Sequence, residues 1–475
     1  MKRGPVLILD AEAIASLDVA RSLGRRGVAS VALGDPRSLL RHSRFVGRRN
    51  LTTLGPDLDP DAAVAAIGEV ARSRRVSLIL PLGAGSTWLL STRGPAVREM
   101  APEAAFLVPP SDKLAVTLDK ATLYRRAAQA GVAVPRTWLP ANASEADSLA
   151  GLWSGPVVVK PRITSGARGM VVAARPEDLP EAYRLVASRF SLPLVQERIP
   201  VGAKIQVGVL HRSTTGPLAV SCLEVLRHYP PAGGPSTCVV TRTDPEAVAA
   251  ALKLLGALEW DGLAHVEFLR DRRDGRLVLI DFNPRVWGTL GASLAGGVDF
   301  PVLLYDLLVG EGLGHGNGPG HGNGPGPPDG ASLTGPQIEG RLWRRLFFSD
   351  MVLYLASIRR RGIWKGPSFW RLIGFQEATW DRGDPWPLLA YVGRTLVGGW
   401  LSPEAWAYYG GSWGFEDRGR RGGSASRTLE ELMEREVAAL AGPPLPGPVG
   451  SGGAPGPVGS GGEPGPVGSG GEKAC

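Results

Sequence analysis

The chain has 475 residues and only three cysteines, Cys222, Cys238 and Cys475. Their spacing fits neither a disulfide framework nor a zinc site, so a reducing, cytoplasmic setting is expected. Cys222 and Cys238 sit in apolar, strand-like runs and read as buried thiols. Long apolar runs are missing as well. The run before Asp10 is too short for a secretory signal, and no stretch reaches the roughly 18 apolar residues of a membrane span. The turn after that first run lacks G-x-G-x-x-G, which sets a dinucleotide site aside. No Ser-His-Asp or Cys-His constellation is evident. Acidic residues fall short of basic ones, 45 against 53, for a net charge of +8. Such a balance suits nucleic acid, an anionic membrane or acidic substrates. No nucleic-acid recognition motif is found, so that class of partner is not expected.

Hydrophobic residues make up 43% of the chain and charged ones 21%, which are globular values, and the length suggests two or three domains. Strand-like runs at 6–10, 28–33 and 76–81 alternate with helical patterns at 11–26 and 62–75. That alternation predicts a parallel α/β domain over 1–110. Ligands of such sheets gather at the carboxyl ends of the strands. Gly83, Gly85, Ser86 and Thr87 follow one such end; they line an acceptor pocket or, more simply, form an ordinary strand-to-helix loop. Residues 111–312 form the next stretch. His211, His228 and His265 fall there and read as packed or surface histidines. Residues 313–338 are a Gly/Pro-rich linker, in which His315 and His321 open a repeated hexapeptide.

Eight of the thirteen tryptophans lie between Trp343 and Trp413. Over 341–361, apolar residues including Leu342, Trp343, Leu346 and Phe347 recur at helical spacing among arginines. The segment 339–413 is therefore expected to be a helical extension. It packs on the body or a partner subunit; the other reading is peripheral contact with a membrane surface. Thr428 to Glu431 resembles a capping box opening a helix that ends near Gly442. A nine-residue Gly/Pro repeat follows, so 414–475 reads as a short helix and a disordered tail.

The chemistry is concentrated in a few segments. Two short apolar runs, one holding His265 and Glu267 and one holding Asp281 and Asn283, flank a charged turn and read as a hairpin. Side chains at i and i+2 of a strand share a face, so Asp281, Asn283 and Arg285 point one way, and Glu267 joins them if the register allows. Oxygen ligands beside a guanidinium suit Mg²⁺ on a polyphosphate, although D-x-N-x-R alone reads more simply as an ordinary solvated face. Upstream, a buried-looking strand ends at Lys160. A small cationic loop follows, with Ser165, Gly166 and Gly169, whose backbone amides can approach phosphate oxygens. Lys120 lies on a helix. Gln196, Glu197 and Ile199 lie on a strand entering a turn, where extended backbone can meet an adenine edge.

In this order, the segments resemble the ATP-grasp superfamily, in particular its carboxylate–amine ligases. The matching pieces are Asp119-Lys120, Val159-Lys160-Pro161 with the loop 165–169, the strand 195–199, Val266-Glu267-Phe268 and Asp281 to Gly288. The resemblance covers roughly residues 1 to 310. It implies an N-terminal pre-ATP-grasp α/β domain, a two-lobed α+β ATP-grasp domain over 111–312, and ATP with Mg²⁺ or Mn²⁺. Lys120 and Lys160 would contact phosphates, and Ser165, Gly166 and Gly169 would belong to a lid over them. Gln196, Glu197 and Ile199 would hold the adenine. Glu267, Asp281 and Asn283 would bind the metal. Arg285 and Lys160 would act in catalysis, Arg285 on the transferring phosphoryl group or the substrate carboxylate. Substrates would be a small carboxylate and an amine, joined through an acyl phosphate. Phosphorylation without ligation, and a non-catalytic nucleotide-binding adaptor at a membrane, are the rival readings. Relatives are often homodimers. The sequence departs from the family twice: Lys204 stands where an acid usually meets the ribose, and Asp281 is more often glutamate.

Overall fold

In the computed structural model, the N-terminal region alternates strand and helix as its sequence predicts. The structure describes residues 4–13, 15–53, 59–153, 155–164, 168–190, 193–228, 236–310, 336–344, 376–401, 425–440 and 449. Four strands, β1 (Val6–Leu9), β2 (Ser30–Gly34), β3 (Leu51–Thr53) and β4 (Leu78–Leu80), form a parallel sheet in the order β3-β2-β1-β4. Helices α1 (Ala15–Arg25), α2 (Pro60–Ser73) and α3 (Ala84–Met100) cover it. Strands β1, β2 and β4 are buried, as near-continuous apolar runs between helices should be, while the edge strand β3 is more exposed.

The first lobe contains α4 (Ser111–Leu118), α5 (Lys120–Gln129), β5 (Thr137–Trp138), α6 (Ala143–Leu149), β6 (Val157–Pro161), β7 (Val171–Ala173), α7 (Leu179–Ala187) and β8 (Pro193–Glu197). Its antiparallel sheet runs β5-β8-β6-β7. The second lobe holds β9 (Val201–Arg212), β10 (Gly216–His228), β11 (Ser236–Thr241), α8 (Pro245–Ala257), β12 (Gly262–Asp271) and β13 (Leu277–Asn283), followed by α9 (Leu290–Ala295) and α10 (Phe300–Val309).

The C-terminal part returns to both domains. Strand β14 (Leu342–Arg344) pairs antiparallel with β11, and β15 (Gln376–Glu377) pairs parallel with β14, giving a seven-stranded sheet β13-β12-β9-β10-β11-β14-β15. The helical reading of 341–361 therefore fails at its start. The edge of β11 offers unpaired backbone, and Trp343 gains a buried place against Leu223, Val239 and Ala292. Helices α11 (Trp386–Leu401) and α12 (Ala425–Leu440) complete the described chain. The latter starts before Thr428, so the capping-box residue lies inside it. The linker histidines His315 and His321, residues 345–375 and the repeat tail apart from Val449 lie outside the described residues. Among the described residues, no helix is long and apolar enough to cross a membrane.

A parity change in β13 positions the functional face. Leu277 and Leu279 point into the same core as Ile205, Val207, Val266 and Phe268. Strict alternation would send Asp281 and Asn283 there too. Glu267 pairs with Asp281, but the next pair is Phe268 with Leu279, so Ile280 is an extra residue in the ladder. This bulge flips the strand: Phe282 enters the core, while Asp281 and Asn283 face the other side. Its freed carbonyl accepts a hydrogen bond from Tyr124 Oη at 2.7 Å.

Candidate active site

The polar face of the second lobe is a grid set by register. Asp281, Glu267 and Gln206 stand side by side on β13, β12 and β9, and Asn283, His265 and Gly208 form the next row. The hairpin expectation for Glu267, Asp281 and Asn283 is thus realised. Gly208 has a steric reason: a Cβ there would run into the Trp287 ring. That ring stacks on His265, with centroids 5.3 Å apart and planes at 12°.

Asp281, Asn283 and Arg285 line an open cleft together with Lys120 and Thr164. Lys120 opens α5, donates to the Thr164 carbonyl at 2.7 Å and lies 3.9 Å from Asp281. A lysine at a helix N-terminus adds its charge to the helix's own positive end, which suits a phosphate. Arg285 donates to Asn283 Oδ1 at 3.2 Å and to the Val286 carbonyl at 2.9 Å. Beneath Lys120, Asp119 caps α5 and holds Arg162 in a buried two-pronged ion pair. That pair fixes the strand end after Lys160.

Lys160 stands behind the cleft wall. Its Nζ donates to Tyr124 Oη at 2.9 Å, and Tyr124 in turn bonds the β13 bulge, so one phenol links the lobes. Burial raises the Tyr124 phenol well above its ordinary value. Burial also lowers Lys160 from 10.5 to about 8, against the opposing pull of Asp281. The two consequences have opposite signs. Between about pH 8 and 10.5 the unfolded chain binds the extra proton, so this group's contribution to stability rises with pH. A phosphate contact needs the ammonium and weakens over the same range. Nucleotide affinity, measured by calorimetry, should fall by up to about tenfold per pH unit above about pH 8. Lys160→Arg should remove that fall, because a guanidinium stays charged.

Glu267 is not free. Its Oε2 lies 2.6 Å from Lys204 Nζ, and its Oε1 takes Gln206 Nε2 at 3.3 Å. Burial alone would raise its carboxyl, but the Lys204 ammonium, with a further pull from Arg285, outweighs that and holds it below the ordinary range. His265 is lowered to about 4 by burial, with Glu267 opposing, so it is neutral at pH 7. Among the described residues, no three His, Cys, Asp or Glu side chains are placed to close on one ion. Asp281 and Asn283 nevertheless fit Mg²⁺, which commonly takes one or two protein carboxylates and draws its other ligands from water and phosphate. When bound, such an ion would neutralise phosphate charge.

The adenine candidates lie elsewhere. Gln196 is buried and donates to Thr137 Oγ1 at 2.8 Å. The Glu197 carboxylate is held by Arg136 and Arg276, and its amide donates to the Arg136 carbonyl. Ile199 is buried. Gly169 adopts a positive φ of 71°, and a Cβ there would strike Phe190, which gives it a packing role. Ser165 and Gly166 lie outside the described residues. In the N-terminal domain, Asp10 Oδ2 accepts from the amides of Leu82 and Gly83 and from Ser86 Oγ. Thr87 Oγ1 donates to the Gly83 carbonyl, Gly85 packs on α12, and Ala84 of this turn lines the cleft.

Sequence reasoning missed the contributions of Tyr124, Arg162, Gln206 and Met433. Tyr124 had a usable signal, since i and i+4 on a helix share a face and it lies four residues after Lys120. Met433 of α12 had none. It reaches the cleft because α12 packs on α3, where Glu436 bonds Trp88 and Arg93. On the other side, Glu430 and Glu434 of α12 engage Arg168 of the loop after β6.

Residues 117–289 match the ATP-grasp domain family. This stretch is an ATP-grasp domain. The domain's sheet and cleft are those described above. Among curated proteins, the chain is similar to the carbamoyl phosphate synthase large chain of Thermotoga neapolitana, 28% identical over 177 residues. That match covers 35% of this chain and spans only 16% of the relative's length. A formate-dependent phosphoribosylglycinamide formyltransferase of Ignicoccus hospitalis is 24% identical over 295 residues, 58% of this chain and 68% of its own. Among solved structures, the biotin carboxylase domain of 2-oxoglutarate carboxylase from Hydrogenobacter thermophilus has a TM-score of 0.53 at 17% identity. The likeness covers 66% of this chain and 71% of that one, which was crystallised with MgADP, ADP and bicarbonate.

Proposed function

We propose that the protein is an ATP- and Mg²⁺-dependent ligase that activates a small carboxylate as an acyl phosphate and joins it to an amine. The observation that supports this most is the meeting of Lys120, Asp281, Asn283 and Arg285 on one cleft of an ATP-grasp domain. The relatives named above agree: one carries carbamoyl phosphate synthase in its name, one is a formyltransferase dependent on formate, and the structural neighbour holds MgADP beside bicarbonate.

A carboxylate resists amines because oxide is a poor leaving group. Attack of its oxygen on the γ-phosphorus gives an acyl phosphate and ADP; the amine nitrogen then attacks the acyl carbon and phosphate leaves. Phosphoryl transfer is helped chiefly by positioning and fixed charge. In this reading Lys120 and Lys160 hold phosphate oxygens, and Arg285, steadied on Asn283, faces the transferring group. Asp281 and Asn283 hold the metal. Strand 193–199 supplies the adenine contacts, with the loop at 165–169 as the lid.

The test is a matrix of carboxylates and amines assayed for phosphate release, with products identified by mass spectrometry. ADP, phosphate and an amide are expected only when both partners are present. A stable phosphorylated acid formed without any amine would identify a kinase instead. A membrane-adaptor role draws its support from Trp380, Trp386 and Leu389, which are exposed in the described part of 339–413. Liposome co-sedimentation without turnover under any mixture would favour it. Light scattering on the same protein tests the expected homodimer.

A further inference from the structure

The polar grid of the second lobe holds a cation of its own. Lys204 lies two residues before Gln206 on β9, so both side chains emerge on the face that carries Glu267. Its ammonium sits 2.6 Å from Glu267 Oε2, and the two side chains are 18% and 14% exposed. The other carboxylate oxygen is bonded by Gln206, which is itself fixed by Ser236 at 3.0 Å and Thr289 at 2.9 Å. Both oxygens of Glu267 are therefore engaged, one by the Lys204 ammonium and one by a Gln206 amide that is itself fixed. Asp281 differs: its side chain is 31% exposed and lines the cleft, with Lys120 at the longer distance of 3.9 Å.

We propose that Lys204 occupies the place of a metal cation beside Glu267, so that the site binds one divalent ion, on Asp281 and Asn283, and not two. This rests on the ligase site described above. A divalent ion on Glu267 would have to expel the ammonium from a nearly buried carboxylate and leave it beside the new ion. Repulsion between the two cations and the loss of a buried partner both oppose that exchange. Lys204 thus supplies a fixed positive charge beside Glu267, next to Asp281 in the sheet, at any concentration of free metal. It also explains why a lysine is tolerated on this face, where its ammonium, 18% exposed, is paired with Glu267.

The experiment counts metal. The full chain, saturated with a non-hydrolysable ATP analogue, is dialysed against Mn²⁺, and bound Mn²⁺ per bound nucleotide is measured. Pulsed electron paramagnetic resonance reports whether two ions lie close together. One Mn²⁺ with no Mn–Mn coupling is expected. Two coupled ions would overturn the proposal while leaving the ligase site intact. Nucleotide bound without any Mn²⁺ would overturn the metal site itself, and the proposal with it. Glu267→Gln should change Mn²⁺ affinity by less than about tenfold, whereas Asp281→Asn should weaken it by more than about a hundredfold. Equal losses in the two variants would make Glu267 a ligand and overturn the proposal. Lys204→Gln should admit a second Mn²⁺; a folded variant that still binds one would show that the lysine is not what excludes it.

Discussion

Asp281→Asn is expected to lower substrate-dependent phosphate release by about a thousandfold, at the upper end of what loss of one preorganised electrostatic group costs. The side chain keeps its shape, so the β13 bulge and the Tyr124 bond to Ile280 should survive. What disappears is the exposed carboxylate of the cleft. On the proposed reading Mg²⁺ would then keep only Asn283, a neutral ligand, and Lys120 would lose the carboxylate 3.9 Å from its ammonium. Lys160→Ala should be comparably severe, because it would remove the phosphate contact of the proposed reading and leaves Tyr124 Oη without its ammonium partner. Phosphate release measures both variants, and circular dichroism with thermal melting separates lost chemistry from lost fold. Turnover within a few-fold of the parent chain in well-folded Asp281→Asn would remove Asp281 from the metal site.

The reasons some of this was legible in the sequence are local. A strand hairpin announces itself by two apolar runs and a charged turn, and the i, i+2 rule then puts Asp281 and Asn283 together whatever surrounds them. The bulge at Ile280 is different. Nothing in Leu277 to Asn283 marks it; it exists because both Leu279 and Phe282 find room in one core. The partner of Lys204 is a matter of register between β9 and β12, strands some sixty residues apart in the chain. Periodicity gives the side each residue faces but not which residue it meets.

The C-terminal part carries the same lesson in reverse. Leu342, Trp343 and Leu346 fit a helical stripe, yet Leu342–Arg344 is a strand, since a free edge and a vacant apolar niche override a weak local preference. Likewise α12 reads locally as an ordinary amphipathic helix. Only the fold brings Met433 to the cleft and Glu434 to Arg168.

Arg21→Met should destabilise the protein by about 3–5 kcal/mol, the usual cost of removing one partner of a buried ion pair. Arg21 lies on α1 and is 4% exposed; its partner Asp384, 363 residues later, is fully buried. The guanidinium bonds Asp384 Oδ2 at 3.0 Å and also the carbonyls of Ala378, Thr379 and Asp384. Methionine fills much of the space but satisfies none of these acceptors. The Asp384 carboxylate would keep Ser43 Oγ and the Arg44 amide, at 2.8 Å each, and lose its counter-charge. Chemical denaturation should register the loss. Asp384→Asn should cost less, because Arg21 retains its three carbonyls, and the double variant should cost less than the sum of the singles. Additive losses, or a cost for Arg21→Met below about 1 kcal/mol, would mean the segment at 378–384 is not docked on α1. The expected coupling instead makes this segment part of the N-terminal domain's stability, so that the chain beyond the ATP-grasp domain helps hold in place the sheet whose strand ends face the cleft.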